Sequence, residues 1–418
     1  MTMGVTDLLA HIPPPAVRRL ALRVRPAAQR ALRQGHPWLF EQAVIQQPDT
    51  PGNPGDLAVI FDDQRRFLAI GLYDPTSLIR VRILQRGAPA TINQTWFAAQ
   101  LAAAAARRAA LPGQGTTGYR LLHGENDGLP GLVIDRYDAV LVLKIYTLAW
   151  IPHLTTVLAA LAEVIPAQAV VLRLSRDLQR QPVWLHGLAD GMTLAGDLPD
   201  AAVRFHENGL CFEADVLRGQ KTGFFFDQRE NRARVATLAA DRRTLNVFAY
   251  TGGFSLYAAS GGAPEVLSLD LSAPALAAAV RNFELNRHLP AVAAATHTVL
   301  AADAFDALTH LRQRGQRFDL VIVDPPALAK QESEVNGALR AYRRLTHLAL
   351  GVLAPAGTLV MASCSSRISA ADFYATVEQA AVEAGRPLQP FAHSGHAVDH
   401  PIGFAEGAYL KCLFATVR

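Results

Sequence analysis

The strongest constraint on this chain is an alternation in its second half. From about residue 200 onward, apolar runs of strand length alternate with helical patterns. They read TLNVFAY, FSLYAAS, EVLSLDL, APALAAAVRNFELN, THTVLAADAF, FDLVIVDPP, ALRAYRRLTHLALGVL and GTLVMASCS. Alternation of this kind predicts a largely parallel sheet wrapped by helices. That assigns 200–418 to an α/β, Rossmann-like domain, for which we expect a seven-stranded sheet. With 418 residues, the chain is too long for this domain alone, since single cores stop growing at roughly 250–300 residues.

The first half has a different texture. Residues 1–17 end in Pro13-Pro14-Pro15 and read as a leader. Over 18–88, DLAVIFDD, RFLAIGLYD and SLIRVRIL are short strands punctuated by Gly35, Gly52, Gly55 and Gly71, as in a small β-barrel. Over 90–198, an alanine-rich helix closed by Pro112-Gly113 precedes the hairpin GLVIDRYDAVLVLKIY, the helix HLTTVLAALAEV and the strand AVVLRLS. This is a central α+β unit, so the fold class is multidomain.

Composition narrows the setting. Half the residues are hydrophobic and only 18% are charged, which argues against large-scale disorder. The net charge of +4 is unevenly placed. Residues 1–40 hold Arg18, Arg19, Arg23, Arg25, Arg30 and Arg33 against Asp7 alone. A basic module suits phosphate backbones, and a solvated basic edge explains it equally well. Three cysteines, Cys211, Cys364 and Cys412, lack metal-ligand spacing, and so sparse a set fits a reducing compartment. No metal is expected. No apolar run is long enough for a signal peptide or a membrane span, so the cytoplasm is the default location.

In an open α/β sheet, ligands bind outside the carboxyl ends of the strands. The first strand of the C-terminal domain ends in Thr251-Gly252-Gly253, which permits a tight turn close to a ligand. The second ends in Asp270, 18 residues after Gly252, where a carboxylate can accept both hydrogen bonds of a ribose diol. A dinucleotide fold would also carry an acid there. YTGGFS, however, lacks the G-x-G-x-x-G that cradles a pyrophosphate, which favours S-adenosylmethionine, a cofactor without phosphate, over NAD. The third strand ends in Asp303, placed for an adenine edge or simply as a helix N-cap. The fourth stops abruptly at Asp324-Pro325-Pro326. Two prolines cannot continue a central strand, and with a carboxylate they offer fixed acceptors to a planar base.

These features in this order resemble class I S-adenosylmethionine methyltransferases. GQKTGFFFDQRENR (219–232), NVFAYTGGFS (246–255), RFDLVIVDPPALAK (317–330), SCSS (363–366) and DHPIGFAEGAYLKC (399–412) resemble, more narrowly, the bacterial ribosomal RNA large-subunit methyltransferases that make 5-methylcytosine. RQGHPWLFEQAV followed by GDLAVIFDD resembles the start of their N-terminal PUA domain. The resemblance implies a cofactor site drawn from Phe226, Gln228, Phe248, Ala249, Tyr250, Thr251, Gly252, Gly253, Asp270, Leu271, Asp303, Ala304, Asp324 and Pro325. It implies RNA, of the 23S type, as partner, and members of the family often form dimers, although no interface is legible here.

Cys364 follows the strand GTLVMAS, which puts it at the same carboxyl edge as Asp324. Cysteine is commonly a small buried hydrophobe, but Ser363, Ser365 and Ser366 make these surroundings polar. In the family that the chain resembles, this cysteine is the nucleophile. A thiolate adding at carbon 6 of cytosine turns carbon 5 into an enamine carbon that can take a methyl group, and such splitting of a hard step is the purpose of covalent catalysis. Asp324 is the candidate to protonate or hydrogen-bond ring nitrogen 3. Some RNA 5-methylcytosine enzymes carry a second cysteine after the proline of the fourth strand; Ala327 stands there, which implies one-cysteine chemistry. Cys211 and Cys412 sit in strands at core spacing.

A base methylated at a ring carbon must leave any duplex stack. Arg33, His36, Trp38, Lys221 and Lys330 are the candidates to contact such RNA, with Phe40 near Trp38; rings at period 2 also suit a core. Two other readings remain open. A guanine N2 methyltransferase shares the Asp-Pro-Pro strand and needs no thiolate. An RNA-binding assembly factor would keep the fold without the activity.

Overall fold

The computed structural model describes residues 5–46, 52–198, 200 and 202–418. The chain divides into two compact units. Unit 1 holds the described residues up to Glu207 together with Ala214–Phe224 and Val398–Ala405. Unit 2 holds Asn208–Glu213, Phe225–Ala397 and Glu406–Arg418.

Unit 1 begins with helix α1 (Val5–His11), so the stretch read as a leader is in part regular structure. Ile12 lies in the core. Strands β1 (Leu20–Val24), β2 (Trp38–Phe40), β3 (Val44–Gln46), β4 (Leu57–Phe61), β5 (Phe67–Tyr73) and β6 (Ile79–Arg86), with helix α2 (Pro26–Arg33), form a six-stranded sheet in the order β2-β6-β5-β4-β1-β3. A second, five-stranded sheet follows, ordered β11-β10-β9-β8-β7. Its strands are β7 (Gly118–His123), β8 (Leu132–Tyr137), β9 (Val140–Ile145), β10 (Ala169–Leu174) and β11 (Thr193–Gly196). Helices α3 (Gln94–Arg107) and α4 (Leu154–Val164) pack on each other, and α5 (Arg176–Gln179) is one short turn. One apolar cluster joins Leu57, Ile70 and Leu84 of the first sheet to Phe97, Leu143 and Trp150 of the second. The two modules expected over 18–88 and 90–198 therefore share a core.

Two buried carboxylates organise this unit. Asp127 takes Arg108 in a two-pronged ion pair, both side chains being excluded from solvent. Asp399, from the returning segment, accepts the Arg120 N–H at 2.8 Å, while its own carbonyl accepts from Arg108 at 2.7 Å.

The chain passes between the units through β12 (Ala202–Glu207) and β13 (Leu210–Asp215). Unit 2 then alternates helix and strand, as the apolar runs require. The helices are α6 (Arg229–Leu238), α7 (Gly253–Ser260), α8 (Ala273–Leu285), α9 (Pro290–Ala294), α10 (Ala304–Gln313), α11 (Val335–Val352) and α12 (Ala370–Glu383). The strands are β14 (Thr244–Val247), β15 (Glu265–Asp270), β16 (Thr296–Ala301), β17 (Phe318–Val323), β18 (Leu353–Ser363), β19 (Leu388–Ser394) and β20 (Lys411–Val417). They form a seven-stranded sheet in the order β16-β15-β14-β17-β18-β20-β19. β14 through β18 run parallel, and β20 is antiparallel to both neighbours. Leu245, Val247, Val321, Val323, Leu359 and Met361 form its core. The order reverses between β14 and β17, which opens a crevice at their carboxyl ends. Among the described residues, no helix is long and apolar enough to cross a membrane.

Candidate active site

Unit 2 builds its crevice first from the turn after β14. Phe248 and Tyr250 both adopt the left-handed conformation, at φ 62° and 49°, and Gly252 at φ 76° starts α7. Such a backbone costs roughly 1–3 kcal/mol at each non-glycine residue and persists only where its surroundings enforce it. Asp270 is one enforcer: its two carboxylate oxygens accept the N–H groups of Tyr250 and Ser272, each at 2.8 Å. Asn282 of α8, fully buried, is another, donating to the Thr251 carbonyl at 2.9 Å. Gly252 cannot be replaced without a shift, because a Cβ there would lie 2.7 Å from that of Ala279.

This turn suits an adenosyl cofactor. The Thr251 hydroxyl is buried with no hydrogen-bond partner among the described residues, although buried polar groups are almost always paired. Asp270 keeps lone pairs beyond the two it uses, since a carboxylate accepts about four bonds. Leu271 beside it is 75% exposed, an apolar surface available to a flat base. Asp303 is exposed and caps α10, accepting from Phe305 and Asp306 at 2.8 and 3.2 Å. Ala304, Ala249 and Phe226 are buried.

The end of β17 carries the second part. Asp324 is half-buried, and its Oδ1 accepts from Gln228 Nε2 at 2.9 Å. Gln228 in turn accepts from Asn231, and Asn231 from Ser394. Desolvation, with the nearby charge of Asp227, pushes the Asp324 carboxyl up to about 7; the Gln228 bond and Arg232 work the other way. Asp227 is itself held by the Tyr409 hydroxyl at 2.9 Å. A carboxyl group with this affinity is part-protonated near neutrality, able both to donate a hydrogen bond and to accept one.

Cys364 completes the site. It is half-buried at the end of β18, and its thiol donates to the Pro325 carbonyl across 3.9 Å. Two of the serines around it, Ser363 and Ser365, are structural. Ser363 accepts from the buried Tyr342 hydroxyl at 2.8 Å. The Ser365 hydroxyl accepts the N–H groups of Leu328 and Ala329 at 3.0 and 3.3 Å, tying the cysteine turn to the Asp-Pro-Pro loop. Burial pushes the Tyr342 phenol up to about 12, so it stays a donor. Cys412 is fully buried, and desolvation raises its thiol well above the ordinary value. Cys211, expected in the core, is only partly buried.

The structure thus brings Gln228, Asp324, Pro325 and Cys364 together at one edge, and Tyr250, Thr251, Gly252 and Asp270 at the neighbouring turn. Lys330 is exposed beyond the Asp-Pro-Pro loop. Lys221 falls in unit 1, exposed and left-handed at φ 59°. There too, His36, Trp38, Phe40 and Phe404 form a half-exposed aromatic cluster, the Trp38 and Phe404 rings 5.2 Å apart. Trp38 Nε1 donates to Glu125, and Arg33 pairs with Asp62. Sequence reasoning assigned no role to Asn282, Tyr342, Phe404 or Lys411: Asn282 and Tyr342 lie inside helices, and Phe404 and Lys411 lie in the 399–412 motif, where nothing local marks their partners.

Comparisons with known proteins fit this geometry. Residues 119–405 match the family described as S-adenosylmethionine-dependent methyltransferase, and residues 22–86 match the PUA-like domain. A protein of Deinococcus radiodurans named ribosomal RNA large subunit methyltransferase is 51% identical over 407 residues, 96% of this chain and 98% of that one. A Photobacterium profundum protein named ribosomal RNA large subunit methyltransferase I is 37% identical over 387 residues, covering 92% and 96%. Among solved structures, a Streptococcus mutans chain described as a SAM-dependent methyltransferase superposes with a TM-score of 0.80 at 22% identity, covering 95% of this chain and all of its own. That likeness is one of fold.

Proposed function

Since this chain belongs to the family of S-adenosylmethionine-dependent methyltransferases and carries a PUA-like domain, we propose that it methylates carbon 5 of a cytosine in large-subunit (23S) ribosomal RNA through a covalent adduct with Cys364. The names of its relatives support the substrate class. The observation that carries the chemistry is the meeting of Cys364 with Asp324-Pro325 at one strand edge.

S-adenosylmethionine would supply a methyl group on a sulfonium; the Tyr250–Gly252 turn, Asp270 and Thr251 would hold it, with Asp303, Ala304 and Leu271 the candidates for its adenine. The Pro325 carbonyl and Asp324 hold the cytosine edge. The Cys364 thiolate adds to carbon 6 while protonated Asp324 hydrogen-bonds or protonates nitrogen 3. Carbon 5, now an enamine carbon, takes the methyl group. Loss of the carbon 5 proton to water then expels the thiolate, and return of any nitrogen 3 proton to Asp324 restores aromaticity and enzyme, with S-adenosylhomocysteine as the by-product. Covalent addition thus supplies the nucleophile that cytosine lacks. Methylation of a guanine amine would need no thiol, and Cys364 would then be structural.

The aromatic cluster of unit 1 is suited to stack unpaired bases, which every base permits through its π-face. Arg33, Lys221 and Lys330 are exposed cations available to phosphates.

RNA bearing 5-fluorocytidine tests the reading, because fluorine blocks the final elimination. With S-adenosylmethionine present, the wild type should form a species that survives denaturing electrophoresis, and Cys364→Ala should form none. An adduct in the alanine variant, or none in either protein, would remove the covalent mechanism.

A further inference from the structure

β20 is the one antiparallel strand of the unit 2 sheet, and this has a local effect. Its first residue, Lys411, pairs in register with Ser363, the residue before Cys364. A charged side chain is thereby delivered to the carboxyl edge of β18, where parallel neighbours deliver their own carboxyl ends. Lys411 is 4% exposed. Its Nζ donates to the Ser365 carbonyl at 2.6 Å and the Ile368 carbonyl at 2.8 Å. Both acceptors lie in the turn that presents Cys364. These bonds use two of three N–H groups.

Burying an ammonium for the sake of two carbonyls is a costly way to fix a turn, since neutral donors such as a serine hydroxyl would serve. We propose that Lys411 is a positioning residue for the reaction: it clamps the Ser365–Ile368 turn and holds a positive charge beside Cys364 that favours its thiolate. This rests on Cys364 being the nucleophile. Electrostatics agree: burial brings the Lys411 ammonium down to about 8, and the Cys364 charge acts to restore it. The two groups therefore stabilise each other's ionised forms. A thiolate beside a lysine forms at lower pH than an isolated one.

Other groups around the cysteine work against or aside from this. The Pro325 carbonyl accepts from the thiol and so favours its neutral form. Asp324, from the end of β17, opposes the thiolate once it ionises. Tyr342 of α11 is neutral, and Cys412, next to Lys411 on β20, is neutral as well. Asp227 and Arg232 act on Asp324 with opposite signs. Arg367 is exposed on the cysteine's own turn. Lys411 is thus a buried cation of the cluster whose charge and that of Cys364 favour each other.

The test is the pH dependence of Cys364 alkylation by iodoacetamide, read as the difference between wild type and Cys364→Ala, which subtracts Cys211 and Cys412. The wild-type midpoint should lie below the ordinary thiol value of about 8.5. Lys411→Met should raise it by about one unit and slow alkylation at pH 7 about tenfold, and Lys411→Arg should restore most of the shift. S-adenosylmethionine binding serves as the control for folding. If Lys411→Met fails that control, the wild-type midpoint decides alone. A midpoint at or above 8.5, or one unmoved in a folded Lys411→Met, overturns the proposal. The readout needs no turnover, so a methylation-competent Cys364→Ala, which would sink the nucleophile itself, is a separate result.

Discussion

At the scale of single residues, the site depends on a carboxyl group kept from its ordinary ionisation. Asp324 binds its proton up to about 7 in the fold, against about 3.9 in an unfolded chain. A raised carboxyl favours the folded state fully below the unfolded value, and that advantage fades as pH rises through 7. Asp324→Asn should therefore be more stable than wild type at pH 8, by about 1–3 kcal/mol, with the gap closing toward pH 4. Urea unfolding at the two pH values measures it, and a gap that is equal at both would mean that the Asp324 carboxyl keeps its ordinary proton affinity in the fold. The same variant should lose methyl transfer by about 100-fold or more, the usual scale for a proton-handling group. Asp324 and Cys364 were legible in the sequence because a strand end and a double proline announce them. Gln228 holds Asp324, backed by Asn231 from the same segment and by Ser394 from a distant one, and spacing does not encode the link to Ser394.

At the scale of elements, the glycine turn shows which part of a motif is rigid. The strand–glycine–helix pattern was readable from TLNVFAYTGG. The left-handed Phe248 and Tyr250 were not, since neither residue type favours that backbone. Gly252→Ala would meet both a left-handed φ and Ala279. It should cost about 1–3 kcal/mol of stability and weaken S-adenosylmethionine binding at least tenfold by calorimetry. Unchanged affinity would show that the turn does not carry the cofactor. Asp303 teaches the opposite lesson: of its two readings from sequence, the helix cap is the one that its hydrogen bonds make visible. β20 was the least legible element. Nothing in LKCLFATV signals an antiparallel insertion, because parallel and antiparallel buried strands share one apolar pattern.

At the scale of the molecule, chain order and spatial order differ. Residues Val398–Ala405 return to unit 1, where Asp399 meets Arg108 and Arg120, although the linear reading of 200–418 kept them with the C-terminal domain. Sequence shows local periodicity, and a returning segment has none of its own. The same segment brings Phe404 to Trp38, so the aromatic face of unit 1 draws on both ends of the chain. Trp38→Ala should weaken RNA binding by about 1–3 kcal/mol, the range for loss of one stacking partner, while leaving S-adenosylmethionine affinity unchanged. Filter binding checks this, and undiminished RNA affinity would mean that the ring only packs. The most direct test of the proposed activity is to incubate wild type and Cys364→Ala with methyl-labelled S-adenosylmethionine and ribosomal RNA from cells lacking the enzyme, then identify the labelled nucleoside by mass. Label in 5-methylcytidine, absent with the variant, is the predicted result; label in another nucleoside, or equal label with both proteins, would contradict it.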